Sequence, residues 1–96
     1  MLKATTKHGT YYLIDLENMR AMRVRGESRN DMGDDGEWFD YWDIQTYDYD
    51  KYLNNESPLR SEPIVVGKSI FFYLTRPFGG YRISTDVVSI EETDNA

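Results

Sequence analysis

The sequence predicts a small, mainly β domain, built as an antiparallel barrel or sandwich of about six strands. Segments in which apolar and polar residues alternate recur along the chain, as in Arg20 to Arg25. Short turns rich in Gly, Asn and Pro separate these segments at intervals of roughly 8–12 residues. The chain has 96 residues, enough for one domain with a single modest core.

The first third of the chain is predicted to form three strands. Residues 2–7 are the first, His8-Gly9 is a two-residue turn, and residues 10–15 are a second strand rich in Tyr and Ile. The third strand is residues 20–25, whose side chains alternate between two faces. One face carries Arg20, Met22 and Val24, and the other, predicted to be a basic outer face, carries Ala21, Arg23 and Arg25.

The middle of the chain is less regular. Residues 26–36 hold three glycines and a single apolar side chain, which predicts a long, mobile, acidic loop. Glu37 to Ile44 resumes as a strand. Residues 43–65 are predicted to be an irregular insertion, in which Asp48 to Leu53 fits either a strand or one short helix.

The last third is predicted to be β structure again. Lys68 to Thr75 is apolar on both faces, as expected for a central strand. Residues 77–80 form a hairpin connection, and strands follow at 81–86 and 87–92. We therefore expect a single β domain over residues 1–92 and a frayed tail at 93–96.

Charge and composition narrow the classes of function. The net charge is −6, and residues 31–50 contain eight acids and no base. Such a chain is repelled by nucleic acid and by anionic lipid, so we expect neither as a direct partner. The first residues lack the apolar segment of a signal peptide, and no apolar run is long enough for membrane insertion, so we expect a cytoplasmic protein. The absence of cysteine excludes disulfides and thiolate zinc sites.

Motifs of common active sites do not fit. Val66 to Ser69 matches the end of a phosphate-binding loop, but Glu62 stands where the first glycine belongs and a strand follows. A calcium loop starting at Asp31 would have Gly33 and Trp42 at two ligand positions. We therefore predict no enzyme activity, no catalytic residue, no metal and no cofactor.

The most informative feature is a run of aromatic and acidic residues in the middle of the chain. Strand alternation places Trp38, Asp40 and Trp42 on one face, and Phe39, Tyr41 and Asp43 on the other. Two interpretations remain open. Either one face joins the core while residues 45–65 cover the other, or an aromatic patch with an acidic rim stays partly exposed and binds a partner.

The second interpretation predicts a non-enzymatic protein-binding module with a basic protein as its partner. The anchors would be Trp38, Tyr41, Trp42, Tyr47 and Tyr49. The charges that steer the partner would be Asp40, Asp43, Asp48 and Asp50. The alternatives are a structural or assembly protein (a virion component, a homodimer or a larger homo-oligomer), an acidic nucleic-acid mimic, and a carbohydrate platform.

Several short segments carry a resemblance to a known group of proteins. They are residues 9–15, 23–25, 36–38, 66–68 and 84–92. In these segments the chain resembles short accessory proteins encoded by bacteriophages of actinobacteria. The resemblance implies a protein made in the host cytoplasm that acts by binding a host-encoded protein, and it implies no catalytic residues. Residues 43–65 do not match it.

Overall fold

The protein is a mainly β domain, as predicted. A computed structural model describes residues 1–25, 36–60, 62, 64–76 and 79–93. In these ranges it has eight strands and one short helix: β1 (Leu2–Thr6), β2 (Tyr11–Asp15), β3 (Arg20–Val24), β4 (Trp38–Tyr47), α1 (Tyr49–Leu53), β5 (Leu59–Arg60), β6 (Ser69–Arg76), β7 (Tyr81–Ile83) and β8 (Val87–Glu92).

All eight strands belong to one antiparallel sheet. Their order is β7-β6-β4-β3-β2-β1-β8, and β5 pairs with the second half of β4. No strand pairing joins β7 to β8 in the described ranges, so the sheet is open. The expected barrel or sandwich of about six strands was therefore imprecise. Alternation shows where strands lie but not whether the end strands pair, and the two residues of β5 are too few to alternate.

The open sheet curls around its own core. Strands β3 and β4 lie between β2 and β6, so a flat sheet would hold β2 and β6 about 14 Å apart. The rings of Tyr12 and Phe72 are nevertheless only 5.4 Å apart. Phe72 is fully buried and also contacts Phe39 and Tyr41, at centroid distances of 5.2 and 5.7 Å. One side chain thus holds three strands of the curl together.

Among the described residues, nine buried apolar side chains form the core: Ala4, Tyr12, Ile14, Ala21, Phe39, Tyr41, Ile70, Phe72 and Val87. Their positions correct one prediction, because Arg23 is buried and does not lie on a basic outer face. Arg23 pairs with the buried Tyr12 across β2 and β3, which places both side chains on the inner face. Arginine occurs on both faces of β3, so alternation alone did not show which face is inward.

The middle of the chain is more regular than predicted. Within residues 43–65, β4 continues to Tyr47 and the helix α1 follows, which confirms the short-helix alternative for this segment. Asp48 begins the helix, because its carboxylate accepts a hydrogen bond from the Asp50 N–H at 3.2 Å. Residues 26–35 and 94–96 lie outside the described residues, and with them most of the predicted loop and tail. Among the described elements no helix is long and apolar enough to cross a bilayer.

Truncation of Phe72 tests the proposed centre of the core. We expect Phe72→Ala to lower the free energy of unfolding by about 3–5 kcal/mol, because it leaves a cavity where three aromatic rings meet. Urea unfolding followed by circular dichroism measures this loss, and Phe72→Leu provides a milder variant should the alanine variant not fold. Val88→Ala is the control, since this side chain is 52% exposed and its truncation should change the value by about 0.5 kcal/mol or less. Equal losses in the two alanine variants would contradict this role of Phe72.

Candidate functional site

An irregularity in β4 decides which of its aromatic side chains are exposed. The register with β6 shifts on both sides of Tyr41. Phe39 and Tyr41 are buried, whereas beyond the second shift Thr46 is buried and Ile44 packs against the core. The inward positions thus change from odd to even numbers, which strict alternation does not allow. Trp42 lies at the change and is 59% exposed.

Among the described residues, the outer side of β4, β6 and β7 carries five aromatic side chains that form one connected cluster, here called the aromatic face: Trp42, Tyr47, Phe71, Tyr73 and Tyr81. Trp42 contacts Tyr73 at a ring-centroid distance of 4.7 Å, and Tyr73 contacts Phe71 at 4.8 Å. Phe71 is stacked with Tyr47 at 6.1 Å and with Tyr81 at 5.2 Å. These contacts connect all five rings across three neighbouring strands.

The aromatic face is open at two of its ends. Trp42 at one end is 59% exposed, and Tyr81 at the other is 65% exposed. Ile83, two residues beyond Tyr81 on β7, adds an aliphatic side chain that is 41% exposed. The other three rings, those of Tyr47, Phe71 and Tyr73, are half-buried. Contiguous exposed apolar surface with a polar rim is typical of a contact site, because aromatic rings bury a large area with few rotatable bonds.

Trp38 lies outside the aromatic face and is covered by an arginine. The Arg20 guanidinium lies 4.3 Å from the centre of the Trp38 ring, and its Nε lies 3.3 Å from an oxygen of Asp15. Asp15 also accepts hydrogen bonds from the backbone and the side-chain amide of Asn18. These bonds from Asn18, aided by Arg20, lower the pKa of Asp15. Trp38 is therefore held in a structural cluster on β3 and β4.

Tyr41 is a core residue. Its side chain is buried, and its hydroxyl donates to the Asp15 carbonyl at 3.3 Å. Burial, together with the charge of Asp15, raises the pKa of Tyr41 to about 12, so the phenol stays protonated at neutral pH. It cannot serve as a surface anchor in this fold.

The carboxylates of the predicted site have unequal roles. Asp43, half-buried beside Trp42, accepts hydrogen bonds from the Ile44 N–H at 2.9 Å and from the Gln45 amide at 3.0 Å. Asp40 is also half-buried, between its strand partners Arg20 and Arg76. Asp50 is largely exposed, on the short helix. Asp43 and Asp50 thus add negative charge near the aromatic side chains of β4 and α1.

Asp48 has a structural role at the start of α1. Lys68 Nζ lies 3.2 Å from Asp48 Oδ1 and 3.5 Å from Asp50 Oδ2. Burial disfavours the charged form of Asp48, but the hydrogen bond and charge of Lys68, with two backbone N–H groups, outweigh it and lower the pKa of this carboxyl. Asp48 also raises the pKa of Lys68. The pair attaches the helix to the start of β6.

The helix itself exposes a second, smaller apolar surface. None of its residues is buried, and Tyr49, Tyr52 and Leu53 are each more than half exposed. The rings of Tyr49 and Tyr52 stack at 5.9 Å. Because i, i+3 and i+4 positions share one side of a helix, these three side chains form a single stripe. Tyr49 thus lies on the surface as predicted, but on the helix and not among the five rings of the sheet.

The structure therefore divides the predicted site. Five of its residues lie on the outer surface: Trp42, Asp43, Tyr47, Tyr49 and Asp50. Tyr41 is in the core, and Asp48 caps the helix. Trp38 lies in the β3–β4 cluster, and Asp40 is the strand partner of Arg20 there. Sequence reasoning missed Phe71, Tyr73 and Tyr81. For Phe71 and Tyr73, the sequence feature that could have indicated an exposed position is the apolar character of both faces of Lys68 to Thr75. A strand with two apolar faces indicates either complete burial or an exposed contact surface, and we expected burial.

The described residues hold no cluster suited to binding a metal ion. Among them no three His, Asp or Glu side chains converge on a position that could hold a metal ion. A cavity of about 230 Å³ lies between the ends of β1, β2 and β8, lined by Leu2, Ile14, Leu16 and three acids. One of these acids is Asp15, whose carboxylate already accepts bonds from Asn18 and Arg20. The most developed surface feature is the aromatic face.

Comparisons with known proteins give no further guide to the site. No protein-family model, curated protein or solved structure matches the chain.

The pH dependence of stability tests the role of Asp48. A folded-state pKa below the usual 3.8 means that Asp48 stabilises the fold above that pH, and that the contribution is lost as the pH falls through the folded-state pKa. We expect Asp48→Asn, which keeps a capping side chain, to show a smaller drop in the urea midpoint between about pH 5 and pH 2 than the wild type. An identical profile for Asp48→Asn and the wild type would show that Asp48 is not held in its charged form.

Proposed function

We propose that this protein is a non-enzymatic binding module, and that the aromatic face docks on a protein partner. One observation carries the proposal: five aromatic rings are in contact across β4, β6 and β7, and the outermost two, Trp42 and Tyr81, are each more than half exposed. Trp and Tyr contribute most to binding energy when a partner fully desolvates them.

The charge around this face favours a basic partner. Asp43 borders Trp42, and Asp50 lies on the helix that follows β4. The whole chain has a net charge of −6. Negative charge near an apolar contact surface speeds association with a positively charged partner, while the apolar contact itself supplies most of the affinity.

In this proposal, the resemblance to actinobacteriophage proteins indicates where the partner comes from. The partner would be a host protein, met in the host cytoplasm. A nucleic-acid mimic has less support, because Asp48 and Asp43 are engaged in hydrogen bonds within the fold. A mimic needs its carboxylates exposed in the spacing of backbone phosphates.

Capture from an actinobacterial lysate tests the proposal. We expect one dominant captured protein, retained at high salt because the apolar contact is not screened, and lost with Trp42→Ala/Tyr81→Ala. Titration calorimetry with the purified captured protein should then show a loss in affinity of about 30-fold or more for the double variant, equivalent to about 2 kcal/mol.

Matched controls make this result specific. Tyr49→Ala/Tyr52→Ala removes two exposed rings from the helix and should leave binding unchanged, and circular dichroism confirms that both double variants are folded. Capture lost with the helix variant and kept by the Trp42→Ala/Tyr81→Ala variant would place the contact on α1. Capture abolished by salt alone would favour a purely electrostatic mimic.

A further inference from the structure

The backbone of β7 leaves one edge of the sheet without a strand partner among the described residues. The Leu74 N–H donates to the Gly80 carbonyl at 3.0 Å, and the Ser84 N–H donates to the Ile70 carbonyl at 2.9 Å. Residues that bond to a neighbouring strand alternate along an antiparallel strand. Residues 80, 82 and 84 therefore bond towards β6, and the N–H and C=O groups of Tyr81 and Ile83 point away from it.

This edge has only weak protection against strand addition. Edge strands are commonly protected by a very short length, charged side chains, proline or a bulge, and β7 is short, with three residues. Residues 79–85 contain one charged residue, Arg82, and its guanidinium lies 4.8 Å from the Phe39 ring on the inner side. The outer side chains of β7, Tyr81 and Ile83, are apolar and exposed. The β7 edge therefore has both the backbone groups and the side chains that an added strand requires.

The opposite edge of the sheet, β8, is protected. It ends in the exposed pair Glu91 and Glu92. Its pairing with β1 is interrupted by a register shift between Thr5 and Thr6. At its other end, Val87 exchanges backbone hydrogen bonds with Gly67 and Lys68. In the part of the chain that the structure describes, this contrast makes β7 the edge that is open to another chain.

We propose that the occupant of this edge is a second copy of the chain, and that two β7 strands pair antiparallel about a two-fold axis at Ile83. In this register the Ile83 N–H donates to the C=O of the partner's Ile83, and the Ile83 C=O accepts from the N–H of the partner's Ile83. The backbone of Tyr81 exchanges two further bonds with that of the partner's Thr85. Arg82 faces the partner's Ser84. A register centred on Arg82 would instead set two guanidinium groups opposite each other.

Charge favours a copy at this edge. The chain is acidic overall, and two copies repel wherever their acids meet. Residues 79–85 contain no acid, so β7 is a place where two copies can approach without that repulsion. Pairing also covers Ile83 and brings the two aromatic faces to one side of a continuous sheet. The dimer goes beyond the proposed function and does not depend on any other partner.

A charge-swap experiment tests the dimer. Sedimentation analysis of the wild type from micromolar to millimolar concentration should show a monomer–dimer equilibrium. Ile83→Lys and Ile83→Glu should each weaken dimerisation by about tenfold or more, because like charges meet at the axis. An equimolar mixture of the two variants should restore the dimer, because the opposite charges then lie across the axis. Val88→Lys, at an exposed position on β8, should dimerise as the wild type does.

Three results would overturn the proposal: a wild type that stays monomeric at every concentration, an Ile83→Lys variant that dimerises normally, or a mixture that fails to recover. Circular dichroism and thermal unfolding establish that each variant is folded. The result is independent of the lysate experiment, since a dimer can form whether or not Trp42 and Tyr81 bind another protein.

Discussion

The surface of this protein depends on the change of register where β4 passes Tyr41. A strand of ten residues with strict alternation would place Trp42 on the same side as Thr46, which is buried. The irregularity allows Tyr41 and Ile44 both to face inward, although they are an odd number of residues apart. The core thereby gains a tyrosine and an isoleucine from one strand, and Trp42 remains outside. The exposed aromatic surface is thus a consequence of how the core is filled.

The curl of the sheet brings aromatic side chains from non-neighbouring strands into contact. Rings from β2, β4 and β6 meet on Phe72, so strands that are not neighbours in the sheet become neighbours in the core. In the described ranges the eight-stranded sheet has no second layer over its inner face, and the curl supplies that cover. No described element covers the rings on the outer side of β4, β6 and β7, which contact one another and solvent. The same fold therefore accounts for the buried and the exposed aromatic clusters.

The acidic residues of the middle segment serve the fold as well as the surface. Asp48 begins the helix and binds Lys68, and Asp43 accepts two hydrogen bonds from its own neighbours. Charge density in the sequence therefore overstates the negative charge that is free to meet a partner. Asp50 is largely exposed, although its carboxylate lies 3.5 Å from Lys68 Nζ. Such a charge is suited to guiding a basic protein and not to imitating a regular array of phosphates.

The sequence was sufficient to predict a mainly β fold, the strands near both ends and the region that contains Trp42 and Tyr47. These features follow from local alternation and turn residues. The sequence was not sufficient to predict that Arg23 faces inward, since both faces of β3 carry arginine. Nor was it sufficient to predict that Phe71 and Tyr73 lie on the outer face. Those outcomes depend on the register between strands far apart in the chain and on a bulge that alternation cannot reveal.

Fluorescence quenching of the two tryptophans shows whether the register change in β4 leaves Trp42 exposed and Trp38 covered. Trp38→Phe leaves Trp42 as the single tryptophan, and Trp42→Phe leaves Trp38. If the register change places Trp42 on the open aromatic face and Arg20 covers Trp38, acrylamide should quench the fluorescence of Trp42 more strongly, with emission at longer wavelength. A Trp42 that is quenched no more than Trp38 would contradict the account, because β4 would then alternate without a break and the aromatic face would lose its exposed end.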